Sequence, residues 1–119
     1  NPLIARNVID FWDRWHISLS TFVKNNVFMP IFMVLMRRPG TPRPLAYASV
    51  ATVIAFLLVG LWHGLSLGWF LWGAIHAAGL VGVRIYGHVL QRRLTPAAFA
   101  AYRANIPIRI AATMVTYCY

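Results

Sequence analysis

From Pro44 to Val83 the chain runs forty consecutive residues without Asp, Glu, Lys or Arg. An α-helix rises about 1.5 Å per residue and a bilayer core is about 30 Å thick, so one crossing takes roughly twenty residues. Forty uncharged residues therefore hold two crossings, provided a turn divides them. The rest of the composition agrees. Hydrophobic residues make up 60% of the 119 and charged residues only 11%, less than half the share of about a quarter found in soluble domains. The expected fold is an all-α polytopic membrane protein built around a transmembrane hairpin.

The two spans are placed at 45–62 and 69–86, with Gly60, Gly64 and Gly68 loosening the helix between them. Before them, residues 7–24 repeat Val8, Phe11, Trp12, Trp15, Leu19 and Phe22 at helical spacing. Asp10, Asp13, Arg14 and Lys24 interrupt that stretch, which fits an amphipathic helix at the interface better than a crossing. Residues 27–36 are apolar but short and broken by Pro30, as in a re-entrant or shallow segment. After the spans comes a basic connection with a short interfacial helix at 96–105, its N-cap at Thr95 and Pro96 in its first position. The apolar run 106–119 reads as the start of a third span, so the chain is expected to be a piece of a larger protein.

The net charge of +9 has a membrane explanation. The stretches 37–43 and 84–103 hold seven Arg, while the turn at 63–68 holds no charge. Both stretches belong on the same side of a hairpin, and the positive-inside rule puts that side in the cytoplasm. No contiguous basic face with interleaved aromatics exists, so nucleic acid is not an expected partner. The single Cys118 precludes an internal disulfide.

Chemistry in this chain centres on histidine. Within residues 60–77, GLWHGLSLGWFLWGAIHA, two imidazoles and three indoles stand in uncharged sequence. An ionisable group at membrane depth is expensive and usually faces the bundle interior or a water-filled cavity. His63 is the candidate catalytic residue, with Gly64 leaving room for close approach. His76 reads as an inter-helix hydrogen bond, His16 as interfacial and His88 as a loop residue. No histidine pair has a zinc-like spacing of three or four, and the only acids are Asp10 and Asp13. No metal site is expected. A haem- or ligand-binding module using His63 and His76 stays open as an alternative, as does a purely structural membrane subunit.

Two blocks in order, FWDRWHISLSTFV at 11–23 and GLWHGLSLGWFLWGAIHAAGL at 60–80, resemble the membrane-bound O-acyltransferases. The resemblance is strongest to the branch of bacterial alginate O-acetyltransferases and D-alanyl-transfer proteins. It implies that residues 1–119 form part of one such domain within a longer multi-pass enzyme. It also implies that His63 is catalytic and that His16 lines the same tunnel. Trp15, Ser18, Trp62, Gly64, Trp72, Gly73 and His76 would line or support that tunnel. The chain departs from the branch in lacking a Gly-Gly-Asn-Arg element after the first block.

The reaction so implied is transfer of an acyl group, expected to be acetyl, onto hydroxyls of an extracytoplasmic polysaccharide or envelope polymer. The donor would be acetyl-CoA or an acyl-carrier thioester used as co-substrate, with no bound cofactor. Expected partners are membrane lipid, a donor or carrier protein on the cytoplasmic side, and a polysaccharide or relay acyltransferase outside. The expected location is the inner, cytoplasmic membrane.

Overall fold

The computed structural model describes residues 8–14 and 17–105. Among the described residues every regular element is helical. In chain order these are α1 (Val8–Arg14), α2 (Ile17–Val23), a π-helical segment (Lys24–Phe28), α3 (Met29–Met36), α4 (Pro44–His63), α5 (Leu67–Arg93) and α6 (Pro96–Ala104). Three helical stretches are long and apolar enough to cross a membrane: Ile17–Met36, Pro44–His63 and Leu67–Arg93. The chain divides into two compact units, Ser18–Gly82 and a second made of Asn1–Ile17 with Val83–Tyr119.

In the unit Ser18–Gly82, α3 and the π-helical segment both pack against α4. The sequence divided this region into an amphipathic helix at 7–24 and a separate segment at 27–36. The structure instead carries one helical stretch from Ile17 through Met36. The physical reason lies before Pro30. A proline inside a helix lacks an N–H and crowds the preceding turn. Here Lys24–Phe28 widen into a π turn, and Pro30 falls at the start of a new α segment. The Asn26 side-chain amide donates to the Phe22 carbonyl at 2.9 Å, and Phe28 stacks on Phe32 across the junction.

The hairpin of α4 and α5 is closed by small residues. Ala51, Thr52, Ala55 and Gly60 are buried on α4, and Gly73, Ala77 and Leu80 on α5. A Cβ added to Gly60 would fall on the Trp69 carbonyl oxygen, and one added to Gly73 would sit 3.3 Å from the Leu57 Cα. The two backbones therefore touch, as membrane helices do where side chains are absent. The hydroxyls of Ser49 and Thr52 donate to carbonyls four residues back, each at 2.8 Å, which satisfies them without water. Large side chains such as Val50, Leu58 and Ile75 are exposed. In water that surface would be a liability, whereas lipid is as apolar as the side chains themselves.

The turn between the spans is tighter than the glycines suggest. α4 continues through Gly60 to His63, and α5 begins at Leu67 rather than 69. Ser66 supplies the start signal. Its hydroxyl accepts from the Trp69 backbone N–H at 3.4 Å, while its carbonyl accepts from Phe70 at 3.1 Å. Gly60 stays helical because its missing side chain serves the close crossing.

In the other unit, Arg14 pairs with Asp10 at 2.8 Å one turn apart on α1. α5 extends to Arg93, past the expected end at 86, so most of the basic connection is helix and His88 sits half-buried on α5 instead of in a loop. Thr95 accepts from the Ala98 N–H at 3.3 Å, Pro96 opens α6, and Asn105 ends it. The Tyr102 hydroxyl donates to the Tyr86 hydroxyl at 3.3 Å, tying α6 to α5. The expected start of a third span at 106–119 lies outside the described residues.

Candidate functional site

His63 is the last residue of α4, and α5 returns against it within four residues. Its imidazole lies nearly parallel to the Trp69 indole, with centroids 4.8 Å apart and planes 19° apart. Trp72 meets it edge-on at 5.7 Å and Trp62 at 5.0 Å. Trp69 and Trp72, three residues apart on one helix face, form a corner with rings 73° apart. The base candidate is thus held by aromatic contact. Among the described residues its nitrogens have no hydrogen-bond partner, and the ring is exposed.

Gly64 makes the corner possible. A Cβ there would meet the Trp69 ring at 2.9 Å from Cδ1 and 3.1 Å from Nε1. Its backbone is extended, with φ 163°, so glycine is needed for space. Without a side chain at 64, the Trp69 indole tucks under the turn and presents its face to His63.

His76 lies one turn beyond Trp72 and is half-buried. Its Nδ1 is 2.8 Å from the Trp72 carbonyl oxygen. A carbonyl only accepts, so Nδ1 carries the hydrogen in this contact. The imidazole packs on the Trp72 ring at 4.2 Å and stacks against Phe56 of α4 at 6.4 Å with planes 6° apart. The sequence suggested an inter-helix hydrogen bond here. The Nδ1 hydrogen bond runs within α5, because a helical histidine reaches the carbonyl four residues back, and the ring contact with Phe56 crosses between helices.

Of the residues singled out in the sequence, Trp62, His63, Gly64, Trp72, Gly73 and His76 are brought together at the α4–α5 turn. Trp62 points outward and is 71% exposed. Ser18 is exposed on the first turn of α2, and among the described residues no hydrogen bond or ring contact joins it to His63. Trp15 and His16 lie outside the described residues. Three participants were not among the site residues inferred from sequence: Trp69, Gly60 and Phe56. Trp69 could have been found from the 69, 72, 76 helical stripe, but Phe56 belongs to the other helix and carried no signal.

Among the described residues no group of three or more His, Cys, Asp or Glu is placed to hold a metal ion. A haem held by His63 and His76 needs both rings to aim a nitrogen at one iron. Here both rings pack on the Trp72 indole, which lends that alternative no support.

Residues 4–118 match the family model described as MBOAT, membrane-bound O-acyltransferase family. The chain is 38% identical over 80 residues to the teichoic acid D-alanyltransferase of Streptococcus thermophilus, covering 67% of this chain and 19% of that protein. It is 33% identical over 92 residues to the peptidoglycan O-acetyltransferase of Helicobacter pylori, covering 77% and 16%. A third relative, named probable alginate O-acetylase AlgI, from Pseudomonas aeruginosa, is 32% identical over 97 residues, covering 80% and 17%. The chain spans less than a fifth of the length of these relatives.

Proposed function

Because the chain belongs to the membrane-bound O-acyltransferase family, we propose that it forms the histidine-bearing part of an enzyme that acylates a polymer outside the cell, with His63 as general base. The acyl group in this reading is acetyl, the donor is acetyl-CoA or an acyl-carrier thioester, and the acceptor is a hydroxyl of a polysaccharide or envelope polymer. The observation that carries it is the His63 ring, held by indoles and offering its nitrogens to a substrate.

The chemistry balances at one imidazole. The acceptor hydroxyl oxygen attacks the thioester carbonyl carbon while a His63 nitrogen takes the hydroxyl proton. The carbon–sulfur bond then breaks, and the imidazolium returns its proton to the departing thiolate. A base of this kind typically supplies about 10²–10⁴-fold. Trp69 and Trp72 hold the ring plane, and orientation of this sort is a large part of what such sites contribute. His16 belongs to the same reading as a residue lining the tunnel, with Trp15 and Ser18 beside it.

The enzyme would sit in the inner membrane, with a donor or carrier protein reaching it from the cytoplasm and a polysaccharide or relay acyltransferase from outside. Arg37, Arg38, Arg43, Arg84, Arg92 and Arg93 favour a cytoplasmic position for both stretches that carry them. Cysteines introduced as Gly40→Cys and Gln91→Cys should both react with an impermeant thiol reagent only after the cytoplasmic face is opened. Reaction of either from outside would reverse the topology. For the activity itself, deleting the gene should abolish O-acetyl ester on surface polysaccharide, and unchanged ester content would contradict the reading.

A further inference from the structure

Phe56, His76, Trp72 and His63 form a continuous run of ring contacts that leaves α4, passes along α5 and returns to α4. Phe56 and His63 are seven residues apart on α4, two turns on the same face. Between them the contacts are Phe56 to His76 at 6.4 Å, His76 to Trp72 at 4.2 Å and Trp72 to His63 at 5.7 Å. The backbones are locked at the same level, where Gly60 meets Trp69 and Gly73 meets Phe56.

We propose that His76 is a positioning residue, which fixes the Trp72 indole and through it the ring of His63. Two restraints act on Trp72 from His76. The Nδ1 hydrogen is committed to the Trp72 carbonyl, and the imidazole face lies on the indole itself. Phe56 braces the imidazole from α4, so the restraint is anchored on both helices. An indole free to rotate would leave the edge of His63 unsupported, and a displacement of about 1 Å at a reacting group can lower turnover by roughly 10²-fold. His76 moves no proton in this assignment. It rests on the reading of His63 as the base.

The assignment makes the ring, more than the hydrogen bond, the important part of His76. His76→Phe keeps an aromatic face between Phe56 and Trp72, whereas His76→Gln keeps an amide donor and loses the face. In cells carrying the full-length protein, O-acetyl ester on surface polysaccharide per membrane-inserted enzyme should stay within about threefold of wild type for His76→Phe. It should fall about tenfold for His76→Gln and for Trp72→Leu, with little further loss in the double variant. A second readout needs no turnover: carbethoxylation of His63 by diethyl pyrocarbonate in isolated membranes, followed by peptide mass spectrometry. Its rate should rise about threefold in His76→Gln and Trp72→Leu and stay unchanged in His76→Phe.

Loss of ester in His76→Phe as complete as in His63→Gln would overturn the assignment and make His76 a proton carrier. Independent, multiplicative losses for His76→Gln and Trp72→Leu would also overturn it. If the wild-type protein forms no ester at all, the acyl-transfer reading falls. The carbethoxylation rates then decide the positioning role alone, and equal rates in all variants would end it.

Discussion

Gly60 of α4 and Gly73 of α5 meet where the two helices cross, with the space for a Cβ on Gly60 lying 3.5 Å from the Gly73 Cα. That contact sets the distance between the helix ending in His63 and the helix carrying Trp69, Trp72 and His76. Gly60→Val or Gly73→Val should force the backbones apart, because the atoms in the way are backbone carbonyls that cannot rotate aside. Overpacking of this kind costs about 1–3 kcal/mol. The measurement is the detergent concentration at which the full-length protein unfolds, which should fall for both variants and stay unchanged for Gly82→Ala, where nothing lies within 4 Å.

Gly64→Ala should behave differently. The added methyl would meet only the side chain of Trp69, which can shift. Stability should therefore change little, while ester formation falls several-fold as the indole leaves the face of His63. A fully active Gly64→Ala protein would show that the Trp69 stack is dispensable.

The Tyr102–Tyr86 contact gives α6 a pH dependence. The hydrogen bond that Tyr102 donates to Tyr86 holds its proton more firmly than in a free phenol, with burial and the Tyr86 charge adding smaller effects. A phenol held above its unfolded pKa of about 10 adds stability that is fully present below that pH and is lost as the pH rises through the folded value. Spectrophotometric titration of the full-length protein should show a late-ionising tyrosine that disappears in Tyr102→Phe. Titration curves identical before and after the substitution would contradict the contact.

The spans α4 and α5 were legible because lipid makes a simple demand: about twenty uncharged residues for each crossing. The place of the turn was less so. Gly60, Gly64 and Gly68 look like helix breakers, yet Gly60 serves a close approach inside α4, and Ser66 decides where α5 begins. Pro30 and Lys24 hid the continuous helix Ile17–Met36, since a π turn that absorbs a proline has no pattern of its own. At the candidate site, His63, Trp72 and His76 stood out as polar or aromatic residues at helical spacing. Phe56 did not. Its role depends on the register between two helices, which one sequence does not display.

The most direct measurement of the account is ester formation per unit of membrane-inserted full-length protein in His63→Gln. Glutamine can hydrogen-bond but cannot take up the acceptor proton, so activity should fall by about 10²-fold or more, as low as in His63→Ala, with insertion unchanged. His76→Phe should remain active in the same assay. Near-normal turnover in His63→Gln would contradict the general-base assignment and leave the imidazole at the α4–α5 turn a packing group.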